Sequence, residues 1–142
     1  MKLFAKHRIK NELNDLSFNI HVEQNESELS FSLKFNSDLY NRNYDFIVKY
    51  PDDYPFKTPK VYIKQHVFHP NIYNNSVCLE ICRLGWKPCY DINTIISCLI
   101  LIFEEPRYEN AFNIEAGQLL QYKYEQFIKT VKEVDLLNDK ND

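Results

Sequence analysis

Cys78 stands seven residues after Asn71, the last residue of the tripeptide His69-Pro70-Asn71. A thiol, an amide and an imidazole within so short a stretch suit one chemistry, acyl transfer through sulfur. Thiolate is a strong nucleophile and a good leaving group, so a cysteine can accept an acyl group and hand it on. The condition is a turn at Pro70, whose ring fixes the backbone, that folds Asn71 back over Cys78. Trp86-Lys87-Pro88 follows closely and closes the same segment.

Three further cysteines accompany Cys78, namely Cys82, Cys89 and Cys98. Together with His66 and His69 they raise the question of zinc, but their spacings fit no standard module, so no metal is expected. Cys98 lies in the most apolar stretch and reads most simply as core. The opening residues Met1-Lys2-Leu3-Phe4-Ala5-Lys6 lack the apolar core of an export signal. Reduced thiols are therefore expected, in the cytosol or the nucleus.

The elements that must position these groups show in the periodicity. The chain of 142 residues fits one domain, 1–142, with a core of about 6–133. Ile9, Leu13 and Leu16 at helical spacing, with Phe4 about a turn earlier, predict a helix over 3–16. Alternation follows: Phe18, Ile20 and Val22 share one face, and Leu29, Phe31, Leu33 and Phe35 share another. Turns at Asn25-Glu26-Ser27 and Asn41-Arg42-Asn43 separate strands, with a third over 44–50 and a fourth over 60–64. Four such strands predict an antiparallel meander with one face on the core.

Residues 67–91 have no clean period, and long irregular stretches in small domains are usually functional. A buried helix is predicted over 93–103 with Asn93 as N-cap, another from about 114 capped by Asn113, and a last over 122–134. The polar residues 138–142 are expected to fray. The fold class is α+β: an N-terminal helix, a four-stranded antiparallel meander sheet, an irregular active-site segment and C-terminal helices.

Composition removes several classes. With only Gly85 and Gly117, there is no glycine-rich loop to cradle phosphates. A net charge of −3 argues against broad nucleic-acid binding. The apolar stretch over 95–103 is far short of the ~20 residues a membrane span needs.

Four motifs, in order, resemble the ubiquitin-conjugating enzymes over nearly the whole chain. They are Tyr54-Pro55-Phe56-Lys57-Thr58-Pro59-Lys60-Val61, His69-Pro70-Asn71-Ile72, Val77-Cys78-Leu79-Glu80-Ile81 and Trp86-Lys87-Pro88. Within that family the chain is similar to enzymes that conjugate the Nedd-type ubiquitin-like modifier. Trp86-Lys87-Pro88 stands where many ubiquitin-specific relatives carry Trp-Ser-Pro, and Ile92-Asn93-Thr94-Ile95-Ile96, Asn113-Ile114-Glu115-Ala116 and Met1-Lys2-Leu3-Phe4 agree.

The resemblance implies that Cys78 takes the modifier's C-terminal carboxyl as a thioester from an activating enzyme, and that a substrate lysine then attacks it. ATP is used by the activating enzyme, so no cofactor is expected here. Asn71 either donates a hydrogen bond to the oxyanion or braces the loop. His69 by resemblance ties the turn. Glu80 either disfavours a nearby thiolate or is simply solvated.

Two departures from the family pattern stand out. The Asn71-to-Cys78 spacing is one residue shorter than in most relatives and holds no glycine, which leaves Asn74 or Asn75 to take the left-handed conformation. Asn110 falls where relatives carry an aspartate beside the thioester. It can orient a lysine by hydrogen bonding but carries no charge, so discharge is expected to be slower or more dependent on a partner.

Expected partners follow from the same resemblance. Residues 1–5, with Phe4, Lys6, Arg8 and Lys10, read as a dock for the activating enzyme, and positive charge at a helix start is not explained by helix stability. A solvated charged face is the alternative. Phe56, Pro88 and Cys89 occupy the loops that relatives present to RING-type ligases, and cullins are the expected substrates. The protein is expected to be a monomer. A ubiquitin-specific conjugating enzyme and a non-catalytic binding module of the same fold are the competing readings.

Overall fold

In the computed structural model, which describes residues 1–141, helix α1 spans Leu3–Asn14 and buries Ala5, Ile9 and Glu12. Strands β1 (Val22–Gln24), β2 (Glu28–Lys34), β3 (Asn43–Lys49) and β4 (Lys60–Ile63) follow as an antiparallel meander. Their alternation decides which face is covered. Leu29, Phe31 and Leu33 of β2 stand opposite Val48, Phe46 and Tyr44 of β3, and all six are buried. Val61 and Ile63 of β4 continue the same inner face.

The segment expected to be irregular carries two more strands. β5 (Ile72–Tyr73) and β6 (Ser76–Val77) form a hairpin whose second arm pairs with β4, so the sheet has six strands in the order β1-β2-β3-β4-β6-β5. Strands of two residues are too short to show a period, which is why four were expected. One turn of helix, α2 (Glu80–Arg83), comes next.

Helix α3 (Ile92–Glu104) lies against the sheet and buries Ile92, Ile95, Ile96, Leu99 and Phe103. Phe103 stacks on Phe35 with centroids 4.3 Å apart and meets Tyr40 edge-on at 5.2 Å. Burying one such side chain stabilises by about 2–3 kcal/mol. The N-cap of α3 is Asp91, in a capping box with Thr94, and not Asn93. Both residue types cap well. Asn93 is instead bonded to α1's end, accepting from Ser17 N (2.8 Å) and donating to Asp15 O (3.0 Å).

Helix α4 (Ile114–Tyr122) is capped by Asn113 as expected, and α5 (Tyr124–Asp135) buries Phe127 and Val131. The tail does not fray as far as it is described. Residues Leu136–Asn141 form a 3₁₀ segment in which Asn138 is buried. Its amide accepts from His66 N (2.7 Å) and donates to His66 O (3.0 Å). Arg42 pairs with both Asp135 and Asp139, and these partners raise its pKa. Asp142, the last residue of the expected frayed tail, lies outside the described residues. Among the described residues no helix is long and apolar enough to cross a membrane.

Candidate active site

The turn at His69 is built first, because everything else hangs on it. The His69 ring is fully buried against Phe103 and Tyr40. Its Nδ1 accepts from Asn71 N at 2.8 Å, and its Nε2 donates to the α3 carbonyl of Ile102 at 2.7 Å. Burial pushes its pKa down to about 4, so the ring is neutral at physiological pH. With both nitrogens engaged, this imidazole fixes the turn to α3 and is in no position to act as a base.

Asn71 and Cys78 then clasp each other across the hairpin. Cys78 N donates to Asn71 O at 2.8 Å, and Asn71 Nδ2 donates to Cys78 O at 2.9 Å. The amide thus braces the loop in this structure. The missing glycine is made good twice over: Asn74 (φ 48°) and Asn75 (φ 64°) are both left-handed. That is the pattern of a two-residue type I′ hairpin, which needs positive φ at both central positions. Asn75 Nδ2 also donates to Ile63 O (2.9 Å) and Gln65 O (3.1 Å), while Ile63 N donates back to Asn75 O (3.0 Å). The shortened loop is thereby locked onto β4.

Cys78 is left half-buried between β6 and α2. It lines a crevice of about 40 Å³ with Asn71, Glu80, Arg83, Leu84, Glu109 and Asn110. The crevice is small and open to solvent. The wall opposite α2 comes from the loop before α4. Asn113 anchors that loop by donating from N to Pro70 O (2.8 Å) and from Nδ2 to Ile72 O (3.1 Å), while its Oδ1 caps Ala116 N (3.1 Å). Gly117 lets the loop approach α4, since a Cβ there would fall 2.5 Å from Ala111 Cβ. Asn110 (φ 53°) reverses the chain at the crevice, and its neighbour Glu109 lines the crevice beside it. No periodicity or motif in the sequence marks Glu109.

The other cysteines differ. Burial pushes the Cys82 and Cys98 thiols up, which lowers their thiolate fraction and reactivity. Cys89 is exposed, and all four are free. Among the described residues no three side chains from His, Cys, Asp and Glu converge to hold a metal ion.

The residues expected to dock partners separate into two groups. Phe4 (45% exposed) and Phe56 (68% exposed) meet edge-on at 5.8 Å, and Pro88 and Cys89 are exposed on the neighbouring loop. Trp86 Nε1 holds that loop to Pro55 O at 2.9 Å. Lys6 and Lys10 are exposed, Lys6 lying 3.9 Å from Glu26. Arg8 requires a correction. Its guanidinium binds Glu12 Oε2 (2.9 Å) and Tyr90 O (2.9 Å) and lies over the Tyr54 ring. Glu12 in turn accepts from Tyr54 OH (2.6 Å) and Ile92 N (2.8 Å), and burial raises its pKa. Arg8 is thus an internal tie between α1 and the Trp86 loop and not a free docking charge.

Comparisons with known proteins agree with this architecture. A family model described as "Ubiquitin-conjugating enzyme" matches residues 6–135. The chain is 36% identical over 88 residues to "Ubiquitin-conjugating enzyme E2 2" of Candida glabrata, covering 61% of this chain and 53% of that protein. It is 44% identical over 80 residues to "Probable NEDD8-conjugating enzyme Ubc12-like" of Arabidopsis thaliana, covering 56% and 43%. The chain spans about half the length of the curated relatives it matches. Among solved structures it is similar to S. cerevisiae Ubc12, with a TM-score of 0.79 and 29% identity over 90% of this chain and 75% of that one.

Proposed function

The chain belongs to the ubiquitin-conjugating enzyme family and has its fold, and from that premise we propose that it carries a ubiquitin-like modifier, of the Nedd type, as a thioester on Cys78. The observation that carries this reading is the clasp of Asn71 and Cys78, which holds a half-buried thiol in the wall of a small crevice. An activating enzyme spends ATP to supply the modifier, and Cys78 takes its terminal carboxyl by thioester exchange. A RING-type ligase brings the substrate, with cullins as the expected class. The step asks no metal or cofactor of this chain, and its setting is the cytosol or nucleus.

For Nedd-type cargo the support is Trp86-Lys87-Pro88 together with the names of two similar proteins, the Arabidopsis relative and the yeast structure. Ubiquitin as cargo is the second reading, favoured by the fungal relatives named ubiquitin-conjugating. Phe4 and Lys6 on one element and Phe56, Pro88 and Cys89 on the adjoining loops supply an exposed surface for activating enzyme and ligase. An exposed aromatic flanked by prolines is a suitable anchor.

The test mixes the protein with ATP and each cognate activating enzyme, supplying ubiquitin or the Nedd-type modifier separately, and resolves products without reductant. A reducible adduct with the Nedd-type modifier is expected. An adduct with ubiquitin alone would transfer the assignment to the second reading, and no adduct with either would leave a non-catalytic module. Cys78→Ser should give an oxyester that resists reductant, and Cys82→Ser should still charge.

A further inference from the structure

Cys78 and Cys82 line one groove, with Leu79, Arg83 and Phe112 among their neighbours there, and both thiols are free. The acyl-carrying step makes no use of Cys82. We propose that the two sulfurs close an intramolecular disulfide, a reversible lock that takes Cys78 out of use under oxidising conditions. The lock forms whether or not Cys78 carries a modifier in its working cycle, but its consequence for charging rests on the thioester reading.

Three observations put the pair together. Leu79 is the N-cap of α2, so Cys78 is the residue before the cap and Cys82 the third of the helix. A side chain just before an N-cap folds back toward the end of the first turn, where Cys82 N is bonded to Leu79 O at 3.0 Å. Burial raises the Cys82 pKa, a hydrogen bond with Thr58 lowers it, and charge on Cys98 and on Cys78 raises it again. That last effect is one of neighbouring thiols. Finally, α2 is a single turn that buries none of its own residues. It is free to adjust toward the roughly 7 Å or less between Cα atoms that a disulfide demands.

The oxidant is a low-molecular-weight disulfide such as oxidised glutathione. Cys78 loses its proton to solvent and attacks one sulfur of that disulfide. The S–S bond breaks, one glutathione thiolate leaves, and a mixed disulfide stands on Cys78. Cys82, deprotonated in turn, attacks the Cys78 sulfur and expels the second glutathione thiolate. Both released thiolates take up protons. The protein has lost two electrons and two protons, and the glutathione disulfide has been reduced to two thiols. A thioester on Cys78 leaves no thiolate to begin the sequence, so only the discharged protein is locked.

The experiment incubates the freshly reduced, uncharged full chain with oxidised glutathione and reads intact mass and a peptide map. Of the four free thiols, Cys78 and Cys82 should be joined in the parent, and glutathione on the exposed Cys89 is mapped separately. C82S should stop at the mixed disulfide. Its Cys78 should carry glutathione at roughly ten times the parent's level, because a tethered thiol acts at an effective concentration on the order of millimolar. C98S should lock as the parent does. The locked parent should fail to charge until dithiothreitol is added, whereas C82S should charge when reduced. Lasting glutathione on Cys78 of the parent with Cys82 still reduced would overturn the proposal. So would a bond from Cys82 to Cys98, or a disulfide between two chains. A parent that locks yet never charges when reduced would uphold the lock and defeat the thioester reading alone.

Discussion

His69 and Cys78 are nine positions apart in one segment and meet opposite fates. The imidazole is sealed between Phe103 and Tyr40 with both nitrogens bonded. The thiol is half-open at a crevice, held through its backbone. Either side chain can do chemistry in isolation. Burial and saturation of hydrogen bonds turn one into scaffold and leave the other partly exposed. The same contrast separates Arg8, absorbed into the Glu12 and Tyr90 tie, from Lys6 and Lys10, which stay exposed.

The contrast is broken most completely at the thiol. Cys78→Ala should abolish reducible adduct formation, with urea unfolding close to that of the parent because a half-buried thiol contributes little packing. His69→Ala should do the reverse. It leaves a cavity and orphans Asn71 N and Ile102 O, for a loss of about 4 kcal/mol in urea unfolding. Whatever fraction stays folded should still charge. Full stability with lost charging would make His69 a reactive group after all.

The buried imidazole also makes stability depend on pH. Burial holds His69 at about 4 in the folded protein, against about 6.5 in an unfolded chain. Between those values the unfolded chain binds a proton that the folded one refuses, so acid favours unfolding. The contribution is whole above about pH 6.5 and is lost as pH falls toward 4, a total of about 3 kcal/mol. Denaturation midpoints measured across that window should fall in the parent, and this component should be missing from His69→Gln. The smallest effect is at the hairpin that holds the pair apart. Asn75→Ala removes the bonds to Ile63 O and Gln65 O and forces alanine into a left-handed conformation, costing about 2 kcal/mol. Asn75→Gly should cost less, because only the bonds are lost.

Much of the frame was legible along the chain. Leu29, Phe31 and Leu33 alternate because one face of β2 is covered, and that period survives in any context that buries it. The apolar run of α3 and the Asn113 cap were equally readable. Left-handed backbone at Asn74 and Asn75 could be anticipated because a short loop without glycine leaves few residues able to adopt it. The α3 cap was misplaced by two residues, since Asp91 and Asn93 both suit the position and only the fold commits Asn93 to Ser17 and Asp15. Strands β5 and β6 and helix α2 were invisible, being shorter than any period that could reveal them.

The residue types, their order and their spacing were thus enough to determine an α+β chain with a cysteine after a proline turn, and to point to its family. Tertiary structure decided which groups meet. Arg8 meets a carbonyl 82 positions away, Asn138 docks on His66 across 72, and Glu109 reaches the crevice of Cys78 because Asn113 binds Pro70 and Ile72. Periodicity records only what neighbours along the chain share. Solvent exclusion and hydrogen-bond partnership, which set whether a side chain reacts or supports, come from residues the folded chain brings together.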